Sequence, residues 1–402
     1  MLKLALRNLF RHRGRTLLTL SAIVLGVAGL VLGGGFVADI FVQLQEASIH
    51  STVGHAQVYR AGYYAQGKRE SATHMIESSA DLVSRVKVVP GVADVMRRVY
   101  FSGLANNGRA DLPVIGDGVE PAAEAKLGSY LQVIAGRNLA ADDDYAVVVG
   151  KGLSKALGVG PGDYVTLLVN TVAGAMNTLE FKVVGVFTSI SQDYDARALR
   201  IPLTTAQVLL DSTAVHSLVL VLHDTAQTDA VVAAVAKQLG KDYEVLPWYR
   251  LAEFYQKTVD LYRRLFLVLL LIVLVLVSLG VANSVTMSLH DRTGEFGTLK
   301  ALGARDGELF RLILVENAVL GLLGGLCGVL IGVVLAWAIS AVGIAMPPPP
   351  NMNTGYIAII RIVPQILVLA FGVGWLATLL AAILPARRVA HLPIVEALRA
   401  NL

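Results

Sequence analysis

The chain has 402 residues, of which 55% are hydrophobic and only 16% charged, and its mean hydropathy is +0.62. A water-soluble protein carries roughly a quarter charged residues, so this composition excludes an ordinary soluble enzyme and points to long apolar runs in a membrane. The net charge of +4 has no basic stripe with interleaved aromatics behind it, which argues against a nucleic-acid partner.

In chain order, residues 1–16 place Lys3, Arg7 and Arg11 on one helical stripe and Leu2, Ala5, Leu6 and Leu9 on another, the pattern of an interfacial helix. The first apolar run follows at 17–38. It is too long for the apolar part of a signal peptide, and no convincing A-x-A cleavage site follows it, so it reads as a retained membrane helix.

Residues 39–260 read as a large mixed α/β domain. Strand-like runs occur at 55–61, 145–150, 163–169, 179–187 and 216–222, and helix-like runs at 79–89, 150–158, 204–211 and 228–240. The stretch GYYAQGKRE (62–70) has the glycine and lysine spacing of a phosphate-binding loop. It carries Arg69 where a Mg²⁺-holding Ser or Thr belongs, so it reads as a polar surface loop. His50, His55 and His74 lack metal-ligand spacing. Adjacent Asp142, Asp143 and Asp144 point in different directions on any regular element and read as a solvated loop. Asp193, Asp195 and Arg197 read as a polar turn, and no catalytic constellation emerges.

Three more apolar runs follow. The second helix, with the end of a stalk, covers 261–289, the third 310–344 and the fourth 366–385, giving four transmembrane helices in all. The loop 290–309 and the tail 386–402 are basic, as is the N-terminal segment, whereas the hairpin 345–365 holds only Arg361. The positive-inside rule then places both termini in the cytoplasm and residues 39–260 outside, where ATP is scarce. The one cysteine, Cys327, falls inside the third helix, so the external domain is expected to hold together without disulfides. Four consecutive prolines, 347–350, stiffen the hairpin, which is expected to cap the third and fourth helices.

The loop between the second and third helices is the most informative stretch. Gly294 and Gly297 favour a change of direction, TLKALGA suggests a short helical turn, and Gly303 can end it with positive φ. Such an element can transmit force from a soluble partner, or it can be a plain re-entry turn. In the third helix Gly321, Gly324, Gly325, Gly328 and Gly332 form overlapping small-xxx-small patterns, suited to close packing within one copy or between two. Glu316 lies just inside the same helix and requires a partner, for which Asn283 and Asn317 are candidates.

These segments resemble a known group. RTGEFGTLKALGA, LVENAVLGLLGGLCGVLIG and the ending LPARRVAHLPIVEALRA are similar to the FtsX-like/MacB-type permeases of ABC transporters, the mechanotransmission class. RNLFRHRGRTLLT matches the family's start, and AGRNLAADDDYAVVVGKGLSKALGVGPGDYVTLL with FKVVGVF resembles its periplasmic core domain. The resemblance spans nearly the whole chain. It implies a multi-pass protein of the bacterial inner membrane, without a catalytic, cofactor or metal site of its own. ATP and Mg²⁺ would be bound by separate cytoplasmic P-loop ATPase subunits, and a second permease copy, identical or paralogous, would complete the complex. A coupling helix would be formed by Asp291, Arg292, Thr293, Glu295, Phe296, Gly297, Leu299, Lys300, Ala301, Leu302, Gly303 and Ala304. The layout is nearest the lipoprotein-releasing permeases, which implies a lipidated or amphipathic cargo and a periplasmic acceptor. Export of peptide, antibiotic or lipid is the alternative, as is a non-transporting permease that signals to a periplasmic partner.

Overall fold

The computed structural model describes residues 13–64, 74–77, 79–127, 131–189, 191–348, 353 and 355–393. The expected interfacial helix up to residue 12, the Gly67–Lys68 portion of the phosphate-loop-like stretch, Pro349, Pro350 and the tail beyond 393 lie outside the described residues.

The chain divides into two units. One comprises Met1–Val42, Val259–Ala345 and Ile357–Leu402, and the other comprises Gln43–Thr258 and Met346–Tyr356. In chain order the helices are α1 (Arg13–Ser48), α2 (Ser79–Lys87), α3 (Pro121–Leu127), α4 (Lys151–Leu157), α5 (Leu203–Leu210), α6 (Thr228–Leu239), α7 (Glu253–Asp291), α8 (Thr293–Ala301), α9 (Asp306–Val342) and α10 (Pro364–Ala390). Among the described residues α1, α7, α9 and α10 are long and apolar enough to cross a membrane. Both α1 and α7 run on well past their apolar runs, α1 as far as Ser48 and α7 from as early as Glu253.

The external unit is built on a ten-stranded mixed sheet. Its strands are β1 (Ala56–Arg60), β2 (Val92–Asn106), β3 (Asp111–Val119), β4 (Gln132–Gly136), β5 (Ala146–Gly150), β6 (Tyr164–Asn170), β7 (Met176–Thr188), β8 (Ala198–Pro202), β9 (Ser217–Leu222) and β10 (Tyr243–Pro247). They lie in the order β10-β1-β9-β2-β3-β8-β5-β7-β4, with β6 pairing both β2 and β7. The pairs β3–β8 and β5–β7 are parallel. The expected strands and helices are all present, and the sheet adds β2, β3, β4, β8 and β10. The β2–β3 hairpin turns at Asn107, whose Oδ1 accepts from the N–H groups of Arg109 (2.9 Å) and Ala110 (2.8 Å). Helices α2, α4, α5 and α6 bury Leu82, Leu153, Leu209 and Val235 in one continuous apolar core with the sheet. Removing that area from water is the main stabilising term here.

The helical unit has its own core, in which Ile23 and Val27 of α1 join Val281 of α7, Ile313 of α9 and Ala377 of α10. The hairpin departs from expectation. Its residues Met346–Tyr356 belong to the external unit instead of capping α9 and α10. The reason lies at Asp195. It lies in the expected polar turn but is buried there, and its carboxylate accepts a hydrogen bond from Asn353 of that hairpin.

Candidate functional site: the loop between α7 and α9

Helix α7 ends at the exposed Asp291, and Arg292 breaks the helix with φ −104° and ψ 11°. The change of direction therefore falls on Arg292. Gly294 and Gly297, expected to provide it, lie inside α8 and are buried. Helix α8 ends at Leu302 with a Schellman turn. Gly303 takes φ +100°, its N–H donates to Lys300 O (3.0 Å), and the N–H of Ala304 donates to Leu299 O (3.0 Å). The next helix starts with the Glu308 carboxylate accepting from the Arg305 N–H at 3.2 Å, which satisfies one of the amides left open at that end.

Two cations clamp α8. The Arg292 guanidinium is buried and donates to both oxygens of Glu316 on α9, at 2.9 and 3.1 Å. It also donates to Glu295 at 3.2 Å and stands over the buried Phe296 ring at 5.2 Å. Glu316 thus takes Arg292 as its partner, in place of the expected Asn283 or Asn317. The Asn317 side chain donates to Ile313 O in its own helix. A carboxylate in an apolar setting is costly alone, and a two-bond guanidinium contact offsets much of that cost. Lys300 caps the end of α10, donating to Ala390 O (2.8 Å) and Leu392 O (2.9 Å), and it also pairs with Asp306 (2.8 Å). Carbonyls left open at a helix C-terminus favour such a cation.

The twelve residues grouped by the sequence therefore separate by face. Arg292, Thr293, Phe296 and Gly297 are buried and Lys300 half-buried; Arg292 ties α8 to α9, Lys300 ties it to the end of α10, and Thr293 Oγ1 donates back to Leu289 O and His290 O of α7. Asp291, Leu299, Ala301, Leu302 and Gly303 are exposed, Leu302 at 81%.

The glycine patterns serve packing inside this chain. A Cβ on Gly324, Gly328 or Gly332 would lie 2.9, 2.7 or 2.9 Å from Ile23, Val27 or Val31 of α1. On Gly321 or Gly325 it would meet Thr378 at 3.0 Å or Phe371 at 2.8 Å, both on α10. One glycine face thus admits α1 and another admits α10. At the other end of these helices lies a clamp that sequence reading missed. Asp39 of α1 is fully buried, and it accepts from Arg361 Nε (2.8 Å) and the Ile359 N–H (3.1 Å) just before α10. Its signal was an acidic residue at the end of an apolar run, facing the lone basic residue of the hairpin.

The external unit shows no group of residues able to hold a metal among those described. Among its buried charges, Arg98, Glu124 and Arg200 form one cluster. Glu124 bridges the two arginines, and Arg200 Nε stands 3.6 Å from Asp117. Burial favours the neutral acid at Glu124, yet the two guanidiniums hold its pKa below the usual value. A small cavity of about 210 Å³ adjoins Arg200 and Glu124, lined mainly by apolar side chains such as Leu139, Val148 and Phe187.

Residues 16–238 match the family profile described as MacB-like periplasmic core domain, and residues 267–394 match that of the FtsX-like permease C-terminal region. The chain belongs to the FtsX-like, MacB-type permeases. It is 24% identical to the lipoprotein-releasing system transmembrane protein LolC of Neisseria meningitidis serogroup B over 413 residues, 96% of this chain and 94% of that one. It is 30% identical to the macrolide export ATP-binding/permease protein MacB of Rhodospirillum rubrum, matching 100% of this chain and 60% of the relative. The pyoverdine export ATP-binding/permease protein PvdT of Pseudomonas aeruginosa is 28% identical over 98% of this chain and 58% of its own length. This FtsX-like permease is accordingly a multi-pass membrane component of an ABC transporter of the MacB/LolC type.

Proposed function

We propose that this permease couples ATP hydrolysis on separate P-loop subunits to movement of its external domain, and that the movement extracts a lipidated substrate from the inner membrane. Both termini then lie in the cytoplasm and the external unit in the periplasm. ATP and Mg²⁺ are held by the ATPase subunits, a second permease copy completes the complex, and a periplasmic acceptor takes the released cargo. The end-to-end correspondence with LolC supports both the split arrangement and lipoprotein as cargo. The MacB and PvdT relatives favour export of another amphipathic molecule as the second reading.

The observation that carries the coupling role is the division of α8 into two faces. The inner face is clamped by Arg292–Glu316 and Lys300, and the outer face offers Leu299 and Leu302. A pushed helix transmits motion when it is rigidly joined to the helices behind it. The test is to purify the tagged full chain from its native membrane in mild detergent. A stoichiometric P-loop ATPase is expected, and it should be lost from Leu302→Asp, a change confined to an exposed side chain. Absence of an ATPase, or undiminished recovery with Leu302→Asp, would refute the coupling role. Cargo is read separately, as ATP-dependent release of an acylated peptide from phospholipid vesicles that contain the complex.

A further inference from the structure

The transport reading uses the loop at one end of α9 and leaves aside the hairpin at the other. Asp195 sits in a short turn between β7 and β8 and is only 1% exposed. Its carboxylate accepts from the Ser189 N–H (3.0 and 2.9 Å to the two oxygens) and from Thr188 Oγ1 (3.1 Å). The remaining donor comes from a distant part of the chain. Asn353 Nδ2 reaches Asp195 at 2.6 Å and Ser189 O at 3.1 Å. The turn is held rigidly from behind, since a Cβ on Gly150 would lie 2.3 Å from Asp195 O and one on Gly152 2.8 Å from Ala196 Cα. The carboxylate is thus presented by a fixed loop, with one acceptor direction left for the hairpin. A short bond from an amide to a charged oxygen is stronger than a neutral one, and losing it leaves a buried carboxylate short of a donor.

We propose that Asp195 and Asn353 are a positioning pair that docks the α9–α10 hairpin on the external domain and keeps it docked through the ATP cycle. Displacement of α9 and α10 then reaches that domain along its own route, in addition to the continuous helices α1 and α7. This inference rests on the transport reading for its second half only; the docking itself does not.

The test uses the full chain with its ATPase in lipid nanodiscs, read by hydrogen exchange with and without ATP. Asn353→Asp sets two carboxylates against each other. Amides 355–358 are expected to exchange about tenfold faster, the order of one lost charge-assisted bond, and the ATP-dependent change in exchange across the external domain should fall by a similar factor. Combining Asn353→Asp with Asp195→Asn removes the charge repulsion and lets the new amide at 195 donate to the new carboxylate at 353, so both signals should recover in part, Ser189 O remaining without its Asn353 donor. A merely structural lesion would not be rescued by the swap. If Asn353→Asp leaves hairpin exchange unchanged, the docking is refuted. If the hairpin loosens while the ATP response persists in full, transmission through it is refuted. If the unaltered chain shows no ATP response and recruits no ATPase, the transport reading and the transmission built on it fall together, while hairpin exchange still decides the docking.

Discussion

The two units bury charge in different ways. In the external unit Glu124 lies between Arg98 and Arg200, and all three belong to one close-packed body around the sheet. Both sets join separate elements, but the external one is shared among three charges on β2, α3 and β8, whereas in the helical unit the link depends on Arg292 alone, at the head of the short α8, reaching Glu316 on α9. A sealed network fixes a core. A pair that bridges two elements makes one move with the other, and it keeps its value only while both ends stay in place. The same contrast appears at Lys300, which ties α8 to the end of α10, and at Asp39, which ties α1 to the approach to α10.

The comparison is broken most severely at Glu124. Glu124→Ala leaves two buried guanidiniums without the carboxylate between them, and removing one partner of such a network costs about 3–5 kcal/mol. Denaturant unfolding of the purified chain should show that loss in the transition of the external unit, with helix insertion intact. A loss below about 1 kcal/mol would mean that Asp117 or solvent takes over, and the sealed-network description would fail.

Acid sharpens the contrast. His55 and His216 are buried in the external unit, and burial lowers each pKa from 6.5 to about 4, with the nearby His50 adding to the effect at His55. Both rings accept on Nδ1, from Leu222 N–H at 3.3 Å and Tyr100 N–H at 3.1 Å, which requires that nitrogen to be unprotonated. The folded pKa lies below the unfolded one, so the stabilisation is fully present above pH 6.5 and is lost progressively as pH falls toward 4. By pH 5 the loss is about 2 kcal/mol per histidine, at about 1.36 kcal/mol per pKa unit. His290 and His391 in the helical unit are exposed, so its melting should change little over the same range. Phe replacement of both buried histidines should flatten the acid limb of the external transition, and an unchanged slope would remove these residues as its cause.

Much of this architecture is legible in the amino-acid sequence. Four apolar runs, the strands richest in Val and Leu and the φ-positive end of α8 at Gly303 all follow from local pattern. The missed elements are those in which pattern and burial disagree. Strand β2 carries Arg97 and Arg98 in succession, and only tertiary partners make a buried arginine tolerable in a sheet. Gly294 and Gly297 suggested a turn because glycine permits one, whereas in α8 they are buried helical positions and Arg292 makes the break. Asp195 looked like a turn residue because its donors lie at positions 188, 189 and 353, the last far beyond any local window. The membership of the coupling loop came from family resemblance. Its division into a clamped face and an open face required the packing of α8 against α9 and α10.

The smallest expected effect separates the two supports of that loop. Gly303 closes α8 with φ +100°, and among the described residues no atom beyond its chain neighbours lies within 4 Å of where its Cβ would be. Gly303→Ala therefore meets no clash, and its cost is backbone strain alone, about 1 kcal/mol. If α8 is held by Arg292 and Lys300, that strain is absorbed locally, and ATPase recruitment should fall no more than about fivefold, the equivalent of 1 kcal/mol. Gly303→Val adds a branched side chain with the same unfavourable φ, and it should weaken recruitment further while Arg292–Glu316 stays formed. Recruitment abolished by Gly303→Ala alone would show that the Schellman turn, and not the buried ion pair, sets the position of the open face.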